Sequence, residues 1–473
     1  MSTEAHRCAS GKMDFYPMPL EPDSPYLADA SGYRGRADEL LLPESEAAVV
    51  DIMRRASASG TPVTISGGGS GLTGGRVPDG GWLLSLEKLN TIQVHPGYAV
   101  CGAGASLTSI QAAALPSKQF YGPDPTEYSA AIGGTVATNA SGSRSFLYRD
   151  TRRHIRALRV VLATGEVLAL RRGEKPPFQI PAMPAPDVRK NTAGYYMRQD
   201  MDYMDLFVGS EGTLGVVTQV EVALLPLPGE LFTGVVFFDS DDSALDAVDA
   251  WRAVPGLRML EYIDASSLDM VRTRFPGIPD AARAAILTEQ EVPGDSEHNE
   301  DAWLSRLKAS AALTEGSWFA TSTADRERFR QFRHTLPEVV NDLARQRGLT
   351  SIGTDFAVPI PKNREMLRFY RELIEAEFPG PSAIFGHIGD AHVHVNFLCA
   401  NEEQWQIAMR MLKAFAVKSV ELGGTVSAEH GLGKRKRDLL PLQYSSGQIE
   451  TMKSVKRRLD PQWLLGRGTL FAA

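Results

Sequence analysis

The sequence predicts an α+β protein of two or three domains, and three observations carry that expectation. At 473 residues the chain exceeds what one ordinary hydrophobic core holds. Residues 229–425 alternate β-type runs with longer helical runs, the pattern of helices covering a sheet. Ahead of them, three glycine-dense turns are separated by short strands, which points to a differently built N-terminal part.

Composition narrows the class. The chain is 43% hydrophobic, 23% charged and 8% aromatic, as in soluble globular proteins. A net charge of −7 argues against nucleic acid as the main partner. The cysteines Cys8, Cys101 and Cys399 lie far apart and form no CxxC pair. That excludes a disulfide framework, a cysteine-rich zinc site and a built-in iron–sulfur cluster, and it suits a reducing compartment. No apolar run reaches the roughly eighteen residues of a membrane span. The N-terminal stretch carries charges and prolines where a signal peptide needs an apolar core. The cytoplasm is the expected location.

The elements follow in order. Residues 1–40 are polar and irregular. "LLPESEAAVVDIMRRASASG" reads as a helix capped by Ser45, with Glu46 and Asp51 in its early turns and Gly60 to stop it. "TPVTISG" is a β-branched strand, followed by short strands at "WLLSL", "TIQV" and "YAVCGAGAS". A helix at "LTSIQAAAL" precedes "FYGPDPTEYSAAIGGTVATNASG", which reads as a loop. "IRALRVVLATGEVLALRR" is a hairpin turned at Thr164 and Gly165. Residues 174–195 form a proline-rich irregular excursion. "DLFVGSEGTLGVVTQVEVALLPLP" supplies a turn and a strand closed by Pro226 and Pro228.

Beyond this point the expected strands are "LFTGVVFF", "AAILTEQEV", "SAIFGHI" and "HVHVNFL". The expected helices are "DSALDAVDAWRAV", "NEDAWLSRLKASAAL", "NREMLRFYRELIEAEF" and "EEQWQIAMRMLKAFAVKSVELG". A basic helix in "QIETMKSVKRRLDPQWLLGRG" ends the chain. The reading divides the chain into 1–228 (core about 40–228), 229–425 and 426–473.

The first glycine turn, "SGGGSGLTGG", contains Gly69, Gly71 and Gly74 in the G-x-G-x-x-G spacing after a strand. A Rossmann unit requires a helix to start there. The residues that follow, "GRVPDGG", contain a proline and three glycines, which no helix tolerates. A P-loop lysine is also missing. The loop is expected instead to offer bare backbone N–H groups, a nest suited to a pyrophosphate. An ordinary glycine-rich connection is the competing reading for this stretch alone. "PDPTEYSAAIGGTVATNASG" and "GSEGTLGVVT" add two further turns on which a large planar ligand could lie.

Three of the nine histidines fall within "GHIGDAHVHVNF", and His430 follows Glu429 in "SAEHGLGK". Alternate side chains of a strand share a face, so His392, His394 and Asn396 are expected to point together. Two imidazoles at that spacing could hold one metal, with Glu429 adding a carboxylate. On that logic His387 lies across the Gly389–Asp390 turn as a bystander. A lone strand histidine is ordinarily structural; three of them beside a Glu–His pair favour a site.

Together "SGGGSGLTGG", "GPDPTEYSAAIGGTVATNASG", "KNTAGY", "GSEGTLGVVT", "GHIGDAHVHVN" and "EHGLGK" resemble the FAD-linked D-2-hydroxyacid dehydrogenases, the D-lactate, glycolate and D-2-hydroxyglutarate enzymes. These belong to the vanillyl-alcohol oxidase superfamily. The resemblance covers roughly residues 40 to 470. It implies a two-part p-cresol-methylhydroxylase (PCMH)-type FAD-binding domain, an α+β substrate or cap domain, and a C-terminal segment returning to the flavin. It implies FAD contacts from Gly67, Gly68, Gly69, Ser70, Gly71, Leu72 and Gly75; from Pro123, Asp124, Gly133, Gly134, Ala137 and Asn139; and from Gly212, Gly215 and Val216. Gly69 stands where covalent relatives carry a histidine, so FAD is expected to be non-covalent.

The resemblance assigns His387, His394 and Glu429 as ligands of a divalent metal, zinc by expectation. His430 becomes the catalytic base, Asn396 a substrate contact, and Arg333 in "FRQFRHTLPE" the guanidinium for the substrate carboxylate. For Arg333, a solvated helix arginine is the competing reading. The family commonly has asparagine where this chain has His392, which leaves that residue between a support behind the ligands and a competing ligand, the support being favoured. Gly353 stands where D-2-hydroxyglutarate enzymes carry a lysine, favouring D-lactate or glycolate as substrate. An "NPG" turn of the family is "GRG" here, so its asparagine contact to flavin is either lost or replaced by Arg467.

The implied reaction takes the hydroxyl proton and passes hydride to flavin N5. Without iron–sulfur or haem motifs, electrons must leave to a separate acceptor: an electron-transfer flavoprotein, an iron–sulfur subunit, a cytochrome or a quinone. A homodimer is one open assembly state. The alternatives are a flavin oxidase that uses oxygen on the same scaffold and a non-catalytic flavin subunit of an electron-transfer complex.

Overall fold

A computed structural model describes residues 20–292, 299–320, 322–347 and 352–472. The N-terminal stretch with Cys8 lies outside the described residues. The molecule is α+β, with three main sheets.

The first sheet is parallel, in the order Glu39–Leu41, Trp82–Ser85, Val63–Ser66. The Glu46–Ser59 helix crosses between two of its strands. Ser45 caps it by accepting the Ala48 amide, and Gly60 ends it in the left-handed region at φ 69°. As the sequence requires, no helix follows the first glycine turn.

The second sheet is antiparallel and five-stranded: Ile92–His95, Tyr98–Gly102, Val216–Ala223, Ile155–Val161, Val167–Arg171. Its last two strands are the expected hairpin, with Gly165 at φ 81° in the turn. One expectation is corrected here. The stretch read wholly as a loop contains a helix, Ile132–Thr138, although Gly133 and Gly134 sit inside it. Its first amides are taken up from outside: Ile132 donates to the Ala105 carbonyl and Gly133 to that of Ala103, both at 2.8 Å.

The third sheet has seven strands, all antiparallel: Trp318–Phe319, Leu231–Phe238, Ala284–Glu291, Leu257–Asp264, Ser382–Gly386, His394–Phe397, Ile352–Gly353. Val236 and Phe238 pack on one face with Trp251 and Trp303, while Val235 and Phe237 pack on the other with Leu268, Phe329 and Phe332. Helices therefore cover both faces. Four of these elements have no counterpart in the sequence reading: the central Leu257–Asp264 strand, the short Trp318–Phe319 and Ile352–Gly353 strands, and the Ala265–Val271 helix. The 24-residue Thr323–Gln346 helix, with Pro337 inside it, entered that reading only as the competing setting of Arg333. The expected "HVHVNFL" strand begins only at His394.

The C-terminal stretch folds back onto the first two sheets. Leu464 accepts the Val63 amide (2.8 Å) and Gly466 donates to the Val63 carbonyl (3.0 Å). From the Ser446–Leu459 helix, the buried Lys456 ammonium donates to the Thr213 and Leu465 carbonyls (2.5 and 3.0 Å) and pairs with Asp460. Arg467 is exposed and donates through Nε to the Trp463 carbonyl (3.0 Å). Among the described residues no helix is long and apolar enough to cross a membrane.

Candidate active site

The three glycine turns line one continuous cleft. Gly67, Gly68, Gly69, Ser70, Gly71, Leu72 and Gly75 contribute from the first, Gly133, Gly134 and Ala137 from the short helix, and Gly212 and Gly215 from the third. Close approach explains the glycines. A β-carbon on Gly68 would stand 3.1 Å from the Ala131 amide nitrogen, and one on Gly133 2.8 Å from Ala103 Cβ. Four expected contacts are not among the lining residues. Pro123 and Val216 are buried, and Val216 belongs to the core. Asp124 pairs with Arg144 at 3.0 Å. Asn139 closes the short helix at φ 50°, accepting the Arg152 amide and donating to Asp150 (both 2.9 Å).

Glu429 and His430 also line this cleft, and the histidine cluster meets them there. His387 Nε2 lies 3.0 Å, His394 Nε2 3.4 Å and His430 Nε2 3.8 Å from the same oxygen, Glu429 Oε1. The reading of His387 as a bystander is therefore corrected: it follows the Ser382–Gly386 strand, at the start of the Ile388–Asp390 turn, and its ring enters the cluster. His392 is not in strand register with His394. It enters through an isolated bridge to Ala357, fully buried, with Nε2 3.1 Å from Asp355 Oδ1. Asn396 lies two residues on from His394 in the strand, and its Nδ2 has no hydrogen-bond partner among the described residues.

His387 and His394 are each oriented by an acceptor on the other nitrogen. His387 Nδ1 lies 2.6 Å from Glu261 Oε1, and His394 Nδ1 2.9 Å from the Thr354 carbonyl. Burial opposes charge on His387, but the Glu261 and Glu429 carboxylates outweigh it and hold the imidazole above its ordinary value. Burial likewise works against Glu429, yet Lys190 and His387 hold its carboxylate well below the usual range. His430 is pushed down by burial, with Asp355 and Glu429 pulling the other way. A neutral imidazole at neutral pH follows, able to accept a proton.

This donor set fits a divalent ion. Donors about 2.0–2.1 Å from one ion stand roughly 3.0–3.4 Å apart along a coordination edge, the spacing of His387 and His394 from Glu429. A carboxylate bound to one ring nitrogen is the usual support of a metal-bound histidine. The other Glu429 oxygen is held by Ser141 Oγ (2.8 Å) and Lys190 Nζ (3.1 Å).

Arg333 comes from the long helix, only 15% exposed, with Nε 2.9 Å from Glu261 Oε2 and Nη1 3.2 Å from Thr126 Oγ1. Thr126 lines the cleft. The solvated-helix reading of Arg333 is displaced, and its Nη2 makes no hydrogen bond among the described residues. Sequence reasoning gave no role to Glu261, Lys190 or Asp355. Asp355 accepts the amides of Ala428 and His430 and the hydroxyl of Ser427, fixing the segment that carries Glu429 and His430. A lone carboxylate inside the apolar run "RMLEYI" was the available signal for Glu261.

Residues 228–470 match the family of FAD linked oxidases, C-terminal domain, and residues 37–171 match the FAD binding domain family. Glycolate oxidase subunit GlcD of Bacillus subtilis is 29% identical, over 94% of this chain and 92% of that one. D-lactate dehydrogenase of Anaerostipes hadrus is 28% identical, over 92% and 90%. D-2-hydroxyglutarate dehydrogenase of Xanthomonas citri pv. viticola is 30% identical, over 91% and 89%. A solved alkyldihydroxyacetonephosphate synthase shares the fold at a TM-score of 0.66 and 17% identity, covering 92% of this chain and 76% of that one. With the glycine cleft and these matches along both parts of its length, the chain belongs to the FAD-linked oxidases and is an oxidoreductase of the D-2-hydroxyacid dehydrogenase type.

Proposed function

We propose that this enzyme oxidises a small D-2-hydroxyacid, D-lactate or glycolate before D-2-hydroxyglutarate, to the 2-oxoacid and hands the electrons to a separate acceptor. The observation that supports it is the meeting of Glu429 and His430 with the glycine-lined cleft. Basic and metal-ligating groups thus stand at the wall where a flavin ring is expected. FAD, when bound, accepts the hydride, and a divalent ion on His387, His394 and Glu429, when bound, acidifies the substrate hydroxyl.

The chain's own residues do the rest. Arg333, anchored through Nε by Glu261, offers Nη2 to the substrate carboxylate. Asn396 offers its free Nδ2 to the same substrate. His430 takes the hydroxyl proton as the C2–H electron pair departs, so the alcohol loses two electrons and two hydrogens. Lys190 keeps the second Glu429 oxygen occupied, so only Oε1 faces the imidazoles. Gly353 leaves no cation at its position, which supports a monocarboxylate.

Anaerobic mixing with D- and L-2-hydroxyacids tests this reading through bleaching of the flavin absorbance. Rapid bleaching by D-lactate or glycolate is expected, and the His430→Ala variant should keep FAD while bleaching at least about 100-fold more slowly. Bleaching by no 2-hydroxyacid would refute the substrate class. Undiminished bleaching in His430→Ala would remove that residue from proton transfer.

A further inference from the structure

His392 is the buried side chain that this mechanism leaves unused. It is fully buried, and neither ring nitrogen makes a hydrogen bond among the described residues. Nε2 sits 3.1 Å from a carboxylate oxygen of Asp355, while Nδ1 has no polar partner. A neutral imidazole with its proton on Nε2, the nitrogen next to Asp355, keeps a lone pair on Nδ1, and an unsatisfied acceptor in the interior is costly. The ring is also close to the cluster. Its centroid is 4.5 Å from that of His394 and 5.3 Å from that of His387. One nitrogen each from His387, His392 and His394 and one oxygen of Glu429 all lie within 4.8 Å of one another.

We propose that His392 is a third imidazole ligand of the divalent ion at His387, His394 and Glu429, an assignment that rests on the metal reading of that site. Each of the three rings has an oxygen acceptor beside one nitrogen: Glu261 for His387, Thr354 for His394 and Asp355 for His392. The opposite nitrogens of His387 and His394 face Glu429 Oε1, and that of His392 has no polar partner; a carboxylate or carbonyl behind one ring nitrogen is how metal-bound histidines are held. Asp355 also lies near this set, one of its oxygens within 4.8 Å of a nitrogen each of His394 and His430, but its carboxylate is already engaged. Its Oδ2 accepts from Ser427 Oγ, the Ala428 amide and the His430 amide at 2.9, 3.2 and 2.9 Å, and its Oδ1 faces His392 and His430. Three imidazoles and one carboxylate form a set for zinc, cobalt, iron or manganese, not for magnesium or calcium, which prefer oxygen. A histidine at this position therefore adds nitrogen character to the site, so metal selection is where its effect falls.

Zinc is the probe. The full-length, flavin-loaded protein is stripped, reloaded with zinc alone and examined by X-ray absorption at the zinc edge, where multiple scattering counts imidazoles. Three are expected in the parent and two in His392→Asn, with zinc held at least about tenfold more weakly by chelator competition. An unchanged bound-flavin spectrum reports an intact fold, and His392→Gln serves where asparagine disturbs it. Two imidazoles in the parent would overturn the assignment by that measurement alone and leave the two-histidine site standing. A parent that binds no stoichiometric zinc would overturn the metal reading as well.

Discussion

Glu211 combines an unusual backbone with an unusual side chain. Its φ is +53°, a left-handed conformation that a β-carbon resists. Its buried carboxylate accepts the amides of Leu432 (2.9 Å) and Gly433 (2.8 Å), tying the third glycine turn to the segment after His430. Burial pushes its pKa from 4.5 up to about 7, against the pull of those two amides. The folded value lies above the unfolded one, so the folded state binds more protons between these limits. Stability must then fall as pH rises through that window. Glu211→Gln should remove this part of the slope, worth roughly 3 kcal/mol across it, although losing one acceptor costs about 1–3 kcal/mol at every pH. Urea midpoints of parent and variant from pH 4.5 to 7.5 give the difference curve. A flat difference would show that Glu211 is ionised throughout.

Single elements show what was legible in the sequence and what was not. The Glu46–Ser59 helix was legible because Ser45 and Gly60 act locally, through a cap and a left-handed stop. The Ile132–Thr138 helix was not, since Gly133 and Gly134 each cost about 1 kcal/mol in a helix and only packing against Ala103 and Ala105 restores it. Pro337 likewise hid the Thr323–Gln346 helix. In the site, the histidine density and the Glu–His pair were visible, but the pairing of His387 with Glu261, 126 residues away, leaves no local pattern. Strand periodicity chose His392 as the strand partner of His394, and the structure ended that register at His394. The short helix also yields a test with two opposite signs. A β-carbon on Gly134 meets no protein atom within 4 Å, although Gly134 lines the cleft. Gly134→Ala should stabilise the flavin-free protein by up to about 1 kcal/mol through helix propensity, yet weaken FAD binding because the methyl group enters the flavin's space. Thermal unfolding without FAD and fluorescence titration with FAD measure the two effects. Unchanged FAD affinity would mean that the flavin does not lie against this helix.

At the scale of the whole molecule, the candidate site joins segments that are far apart in the chain. His394 belongs to the seven-stranded sheet and His387 follows one of its strands directly, Glu429 belongs to the returning C-terminal stretch, and Lys190, Ser141 and Gly142 belong to the N-terminal half. A second tie runs nearby, where Arg144 of the N-terminal half pairs with both Asp124 and Glu289 of the large sheet (3.0 and 2.8 Å). An ion held by His387, His394 and Glu429 would be bound by the folded chain and not by the unfolded one, so it must add to stability by mass action. At a free concentration one hundred times its dissociation constant the gain is about 2.7 kcal/mol. Removing the ion with a chelator should therefore lower the thermal midpoint, and added zinc should restore it. The loss should be accompanied by faster proteolysis of the stretch around Glu429, because Asp355 and Lys190 remain to hold that stretch but the link to the large sheet is weakened. Flavin absorbance followed in the same samples separates this effect from cofactor loss, since the glycine cleft does not use the ligand histidines. A midpoint that ignores both chelator and zinc while flavin stays bound would show that Lys190 and the imidazoles alone balance Glu429.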